Sequence, residues 1–138
     1  MMCLGLSICE HQQYGWCVWE NEQGWIDSGV SLDPFFYGDK HGVVRVGFVS
    51  MEPRFFHDPM MRKAISSYCG KREIEYPFEA TVKKVEGFGS WGKKNPSWDD
   101  VIKSAKNQGL SGKPESYGEA MAVHVANWTV MGIRGRNR

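Results

Sequence analysis

The sequence has no CxxC pair and no histidine at the spacing of a zinc site, although it contains four cysteines, Cys3, Cys9, Cys17 and Cys69. Four cysteines are compatible with two disulfides, but a chain of 138 residues that is 41% hydrophobic can bury a core without them. We therefore expect reduced thiols, most of them buried.

Long apolar runs are also missing, since none approaches the ~20 residues that a membrane-spanning helix requires. The first residues lack the basic segment and apolar stretch of a secretory signal. These two absences predict a cytoplasmic protein without membrane association. The length predicts a single domain over residues 1–138.

Basic residues are scarce in the first part of the chain. Residues 1–60 hold three basic against eight acidic residues, a net charge of −5, whereas residues 61–138 hold fourteen against eight, a net charge of +6. The overall charge of +1 argues against a non-specific coat for nucleic acid. The split permits a basic binding face beside an acidic site, and a solvated surface would show the same split.

Alternating apolar residues predict strands early in the chain, at 3–9, 15–20 and 24–32, followed by a nearly continuous apolar strand at 43–52. Short turns between the first three strands indicate an antiparallel meander. A helix is predicted from Asp58, as its cap, to Gly70, because the apolar residues between them follow helical spacing. Residues 73–87 are interpreted as a strand followed by a basic stretch.

Two further helices are predicted towards the end. One begins at Ser97 with Asp100 as its capping-box partner, and the last runs from about Ser116 to about Met131. The order of elements predicts an α/β fold on one mixed, five-stranded sheet flanked by helices.

Three acidic residues lie at the ends of predicted elements: Glu10, Glu52 and Glu119. Glu52 closes a buried strand, where a carboxylate would face the crevice in which ligands of α/β folds gather. Its alternative role is that of an exposed loop acid. Glu119 follows Ser116 by three residues, so it has a capping-box role as an alternative.

The segment VKKVEGFGSWGKK places Lys83 and Lys84 on one side, and Lys93 and Lys94 on the other, of a stretch rich in glycine and aromatic residues. Lysines around flexible backbone can follow phosphates, and Trp91 can stack on a base. The alternative is a solvated loop whose tryptophan is packed in the core. No GK[ST] motif follows, so the segment is not a P-loop.

The order of motifs resembles the RuvC-like Holliday junction resolvases, in particular the compact phage-type members, over essentially the full length. LGLSICEHQQYGWCVWE is similar to the first two strands of that family, and VGFVSMEP is similar to the fourth strand with its catalytic glutamate, here Glu52. EATVKKVEGFGSWGKKNPSWDDVIKSAKNQGL and SYGEAMAVHVANW resemble the later lysine-rich segment and the last helix.

The resemblance implies a ribonuclease H-like fold and a structure-selective endonuclease that acts on branched DNA. It also implies a homodimer whose contact includes the first helix after Glu52, which makes Met60, Met61 and Ile65 interface candidates. In that family, carboxylates from separate strands and the last helix hold two Mg²⁺ or Mn²⁺ ions that hydrolyse a phosphodiester bond. The location implied is the cytoplasm, that of the host cell for a phage-encoded protein.

Two ligand positions of that family carry hydroxyls in this chain, Ser7 in the first strand and Ser116 in the last helix. The carboxylates left for catalysis and metal binding are Glu52, Glu119 and Glu10. Lys83, Lys84, Trp91, Lys93 and Lys94 are the predicted nucleic-acid contacts. Two functions remain open: a metal-dependent endonuclease, and an inactive pseudo-nuclease that binds DNA, RNA or a protein partner through the same scaffold.

Overall fold

A computed structural model describes residues 1–52, 57–74, 78–89, 97–106 and 116–136. Five strands form one mixed sheet in the order β3-β2-β1-β4-β5. They are β1 (Met2–Ile8), β2 (Tyr14–Glu20), β3 (Gly24–Ser31), β4 (Arg45–Ser50) and β5 (Phe78–Ala80). The first three strands are antiparallel, while β4 pairs in parallel with β1 and β5 pairs in parallel with β4. The predicted mixed, five-stranded sheet is confirmed.

Helices cover both faces of the sheet. They are α1 (Phe35–His41), α2 (Asp58–Lys71), α3 (Val82–Gly89), α4 (Trp98–Lys106) and α5 (Tyr117–Arg136). Leu4, Leu6 and Ile8 of β1 pack in a cluster with residues of α2, whereas Cys3 packs with α3, α4 and α5. Because successive side chains of β1 point to opposite faces of the sheet, β1 contributes to one hydrophobic core on each face.

Hydrogen bonds fix the ends of the predicted helices. Asp100 accepts from the backbone N–H of Ser97 at 2.9 Å, and Ser97 Oγ accepts from the N–H of Asp100 at 3.2 Å, which is the predicted capping box of α4. Asp58 is not the cap of α2, because His57 occupies that position and Asp58 is the first helical residue.

The interpretation of the basic stretch as a flexible glycine-rich loop was wrong for its first part. Lys83 and Lys84 lie on helix α3, with Val85 fully buried against α5 and α4. Gly87 and Gly89 disfavour a helix, but burial of Val85 outweighs that preference. Both lysines are exposed.

The assignment of α2 to a dimer contact was wrong for two of its three residues. Met61 and Ile65 are buried against the sheet within the chain, so neither can lie in a contact with a second copy. Met60, on the outer side of the helix, is 57% exposed.

Helix α5 lies directly on the backbone of three strands, at glycines without side chains. A Cβ built on Gly5 would come within 2.4 Å of the Ala122 carbonyl oxygen, and one on Gly15 within 2.2 Å of the Gly118 carbonyl oxygen. Gly47, paired with Gly5 across the sheet, faces the side chain of Thr129, where an added Cβ would overlap the hydroxyl. These glycines permit the close approach that brings the start of α5 to the end of β1.

All four cysteines are free, as predicted, and three of them are buried. Burial raises the pKa of the Cys3 and Cys69 thiols to about 11, so both stay protonated at neutral pH. In the part of the chain that is described, no helix has the length and apolar character needed to cross a membrane.

His124 is fully buried on α5, where its Nε2 donates to the Val101 carbonyl of α4 at 3.0 Å. Nδ1 has no hydrogen-bond partner among the described residues. Because burial disfavours the imidazolium, the pKa of His124 is lowered below its ordinary value of about 6.5. The folded protein therefore contains a neutral histidine that the unfolded chain protonates more readily.

We expect the free energy of unfolding to be fully retained above about pH 6.5 and to fall as the pH drops towards the lowered pKa of His124, by at most about 1.4 kcal/mol per pH unit. Urea unfolding from pH 7.5 to pH 5 measures this slope. His124→Gln should flatten it, since glutamine can donate to the same carbonyl without titrating. Equal slopes in the native and His124→Gln proteins would contradict the assignment.

Candidate functional site

A cleft of about 750 Å³ lies at the edge of the sheet where the parallel strands β1 and β4 end. Ligands of α/β folds gather at this edge, outside the carboxyl ends of the strands. Its walls come from the β1–β2 turn, strand β3, the residues after β4, helix α3 and the start of α5. The lining residues are Cys9, Glu10, His11, Gln13, Val30, Met51, Glu52, Val82, Glu86, Ser116, Tyr117 and Gly118.

Glu10 lies on the turn between β1 and β2, and hydrogen bonds fix the conformation of this turn. The N–H of Cys9 donates to the Gln13 carbonyl at 2.9 Å, and His57 Nε2 lies 2.9 Å from the Cys9 carbonyl oxygen. His11 has a left-handed backbone, with φ of 59°. This turn holds Glu10 at the mouth of the cleft, where the side chain is exposed.

Glu52 reaches the same cleft from the end of β4. The N–H of Met51 donates to the Ile8 carbonyl at 3.1 Å, which continues the pairing of β4 with β1 just past the end of both strands. Glu52 follows directly and is half-buried in the cleft wall. Its predicted place, at a sheet edge facing a crevice, is the place that it occupies in the fold.

Glu119 lies one turn into α5 and faces β3. Its N–H donates to Ser116 Oγ at 3.1 Å, which is the N-cap bond of the helix, and its carboxylate accepts from Ser28 Oγ at 2.6 Å. The side chain is only 6% exposed and is not part of the cleft lining. Ser116 caps the start of the helix, as the capping motif predicted. The hydrogen bond between Ser28 and Glu119 depends on the rotation of α5 about its axis relative to the sheet, which the motif does not specify.

Ser7, which the resemblance places at a ligand position of the first strand, is fully buried. Its Oγ donates to the Gly118 carbonyl at 2.6 Å, and Cys9 Sγ lies 3.4 Å from Ser7 Oγ. The residue therefore connects the end of β1 to the first turn of α5.

Helix α3 contributes Val82 and Glu86 to the cleft lining. Glu86 accepts a hydrogen bond from the Tyr117 hydroxyl, which joins α3 to the start of α5 within the cleft. Burial and the Glu86 carboxylate together raise the pKa of Tyr117 well above its ordinary value, so the phenol stays protonated. Lys83 follows Val82, itself in the lining, and Lys84 Nζ lies 5.7 Å from the centre of the Trp128 ring.

The structure thus places Glu10 and Glu52 in one cleft, puts Glu119 nearby but turned to β3, and puts Lys83 and Lys84 on the adjoining helix. Trp91, Lys93 and Lys94 lie outside the described residues. Among the residues that are described, no three His, Cys, Asp or Glu side chains are grouped so that they could hold a metal ion. With Ser7 and Ser116 as neutral hydroxyls, these residues do not fit the two-ion centre that the resemblance implies.

Sequence reasoning missed Glu86, Tyr117 and Ser28 as residues of this region. Tyr117 and Glu86 meet only because α3 is a helix, and that helix was interpreted as a loop. The available signal was the spacing of Val82, Val85 and Glu86, which suits one side of a helix.

Solved structures resemble this chain over nearly its full length, among them two of RuvC. The Thermus thermophilus RuvC structure superimposes with a TM-score of 0.76 at 11% identity, over 98% of this chain and 97% of that chain. T. thermophilus RuvC in complex with Holliday junction substrate gives a TM-score of 0.74 at 11% identity, over 96% of each chain. No family model and no curated protein matches the sequence. The likeness establishes a RuvC-like, ribonuclease H-like fold, as predicted.

Proposed function

We propose that this chain is a nuclease-like DNA-binding protein that recognises branched DNA, such as a four-way junction, at the cleft edge of its sheet. The observation that carries the proposal is the position of the cleft: it opens at the ends of β1 and β4, beside a helix with two exposed lysines, in a fold shared with a RuvC that is complexed with a Holliday junction substrate. Phosphate contacts from such lysines position DNA whether or not it is cut.

The resemblance also implies a homodimer, and we include it in the proposal, since a two-fold symmetric protein matches the symmetry of a four-way junction. The exposed Met60 on α2 is the remaining candidate for that contact. Light scattering on the free protein and on its junction complex measures the number of copies. A single copy in both states would remove the homodimer from the proposal.

The binding proposal predicts that Lys83→Glu combined with Lys84→Glu weakens junction binding roughly 10- to 100-fold near 0.1 M salt, because two phosphate contacts are lost. Fluorescence anisotropy with a labelled junction, repeated over a range of salt, measures both the affinity and its slope. The slope of log K against log salt should become shallower by about 2.

The control is Lys40→Glu with Lys71→Glu, which makes the same charge change on exposed residues at the ends of α1 and α2, across the sheet from α3. It should weaken binding much less. Equal losses in both pairs would point to a general effect of net charge, and equal affinity of the native protein for junction and plain duplex would overturn the proposal.

A second candidate is cleavage of the bound DNA in the presence of Mg²⁺ or Mn²⁺, and it is favoured by Glu10 and Glu52 lining the same cleft. Incubating the protein with four-way junction, flap and duplex DNA in either metal tests it. Cleavage that Glu52→Gln abolishes and Glu22→Gln, on an exposed turn, retains would support the endonuclease. Binding without cleavage would leave the chain as a junction-binding protein.

A further inference from the structure

The first turn of α5 is held to β1 by a buried hydrogen bond. Ser7 Oγ donates to the Gly118 carbonyl at 2.6 Å, and Ser7 is fully buried. Gly15, paired with Ser7 across β1 and β2, makes room for it: a Cβ there would lie 2.4 Å from Ser7 Oγ. The contact therefore depends on residues of two strands and one helix.

The other hydroxyl at a ligand position is also used in holding α5. Ser116 Oγ accepts from the Glu119 N–H at 3.1 Å and so caps the helix. The Glu119 carboxylate accepts from Ser28 Oγ at 2.6 Å, which attaches the same turn of helix to β3. Ser116 and Glu119 therefore each accept a hydrogen bond from an uncharged donor.

A carboxylate at position 7 would be unfavourable in this arrangement. Serine can donate to the Gly118 carbonyl, but an ionised aspartate has only acceptor oxygens, so two acceptors would face each other without water. A serine hydroxyl is in turn a poor ligand for Mg²⁺ or Mn²⁺, which prefer carboxylates. The residue at position 7 thus suits the helix contact and does not suit a metal ion.

We infer that the Ser7–Gly118 hydrogen bond takes the place of the metal centre between the first strand and the last helix of the resolvase-type fold, so that the start of α5 is fixed without a metal ion. The inference goes beyond the proposed function and does not depend on DNA binding, because its test contains no DNA.

Thermal unfolding of the native protein in EDTA and in about 10 mM Mn²⁺ tests the inference, since an ion bound to the folded state raises the melting temperature by mass action. We expect the two melting temperatures to agree within about 1 °C. Ser7→Ala should lower the melting temperature by about 3–10 °C, because the buried Gly118 carbonyl loses its donor. Ser66→Ala, on the exposed side of α2, should not.

Stabilisation of the native protein by Mn²⁺, or a Ser7→Ala protein as stable as Ser66→Ala, would overturn the inference. The double variant Ser7→Asp with Ser116→Asp provides a second arm. In EDTA it should be less stable than Ser7→Ala, because the aspartate at position 7 would face the Gly118 carbonyl without a donor. A double variant as stable as the native protein in EDTA would also overturn the inference. If the double variant does not fold, the measurements on the native protein and on Ser7→Ala still decide.

Discussion

Replacing Gly5 by alanine is expected to lower the free energy of unfolding by about 3 kcal/mol, among the largest effects of any single methyl group in this chain. The new Cβ would lie 2.4 Å from both the Ala122 carbonyl oxygen and the Ala126 nitrogen of α5. Both are backbone atoms, so no side-chain rotation can relieve the overlap. The helix has to move away from β1, β2 and β4 together, because it packs on all three strands.

Gly70→Ala is the matched control, since a Cβ at that position meets no atom within 4 Å and the residue lies in helix α2. Alanine there should stabilise the protein by up to about 1 kcal/mol through helix propensity. Urea unfolding of both variants measures the difference in sign. A Gly5→Ala protein as stable as the native one would mean that α5 is not held close to the sheet.

Much of the fold follows from periodicity in the sequence. Leu4, Leu6 and Ile8 alternate on one face of β1, which identifies the strand. β2 has apolar or small residues at nearly every position, because it is buried on both faces of the sheet. The glycines under α5 look like weak strand residues until the helix is in place. These glycines are required by the packing of α5 on the strands, and the spacing of residues within a strand does not show that contact.

The candidate site was less predictable than the fold. Glu10 and Glu52 are placed by strand ends, and strand ends can be located from the sequence. Glu119 is placed by a helix whose start is marked by Ser116, but the direction of its carboxylate depends on the rotation of α5 against β3. Helix α3 was missed because its glycines lower the helix propensity of the segment, and its apolar stripe is short. The helix forms because Val85 packs against α5, which the local sequence does not show.

Asp58 is a buried acid that the sequence assigned only to helix capping. Its side chain accepts from Ser50 Oγ, at the end of β4, and from Arg62 Nε at 2.7 Å. Arg62 also donates to Glu79 and lies over the Phe48 ring, 5.4 Å from its centre. The group therefore attaches α2 to the end of β4, two residues before Glu52, and to β5.

Asp58→Ala should lower the free energy of unfolding by about 2–4 kcal/mol, because the buried Ser50 hydroxyl loses its acceptor and the partly buried Arg62 loses its ion pair. The exposed Asp99, in the first turn of α4, is the matched control: Asp99→Ala removes an acid from a similar helix position and should cost only a few tenths of a kcal/mol. Asp58→Asn keeps an acceptor for Ser50 and loses the charge, so it should fall between the two. Equal stability of the Asp58→Ala and Asp99→Ala proteins in urea would show that the helix dipole alone explains Asp58. A graded loss would instead show that the acid holds together the end of the strand from which Glu52 enters the cleft.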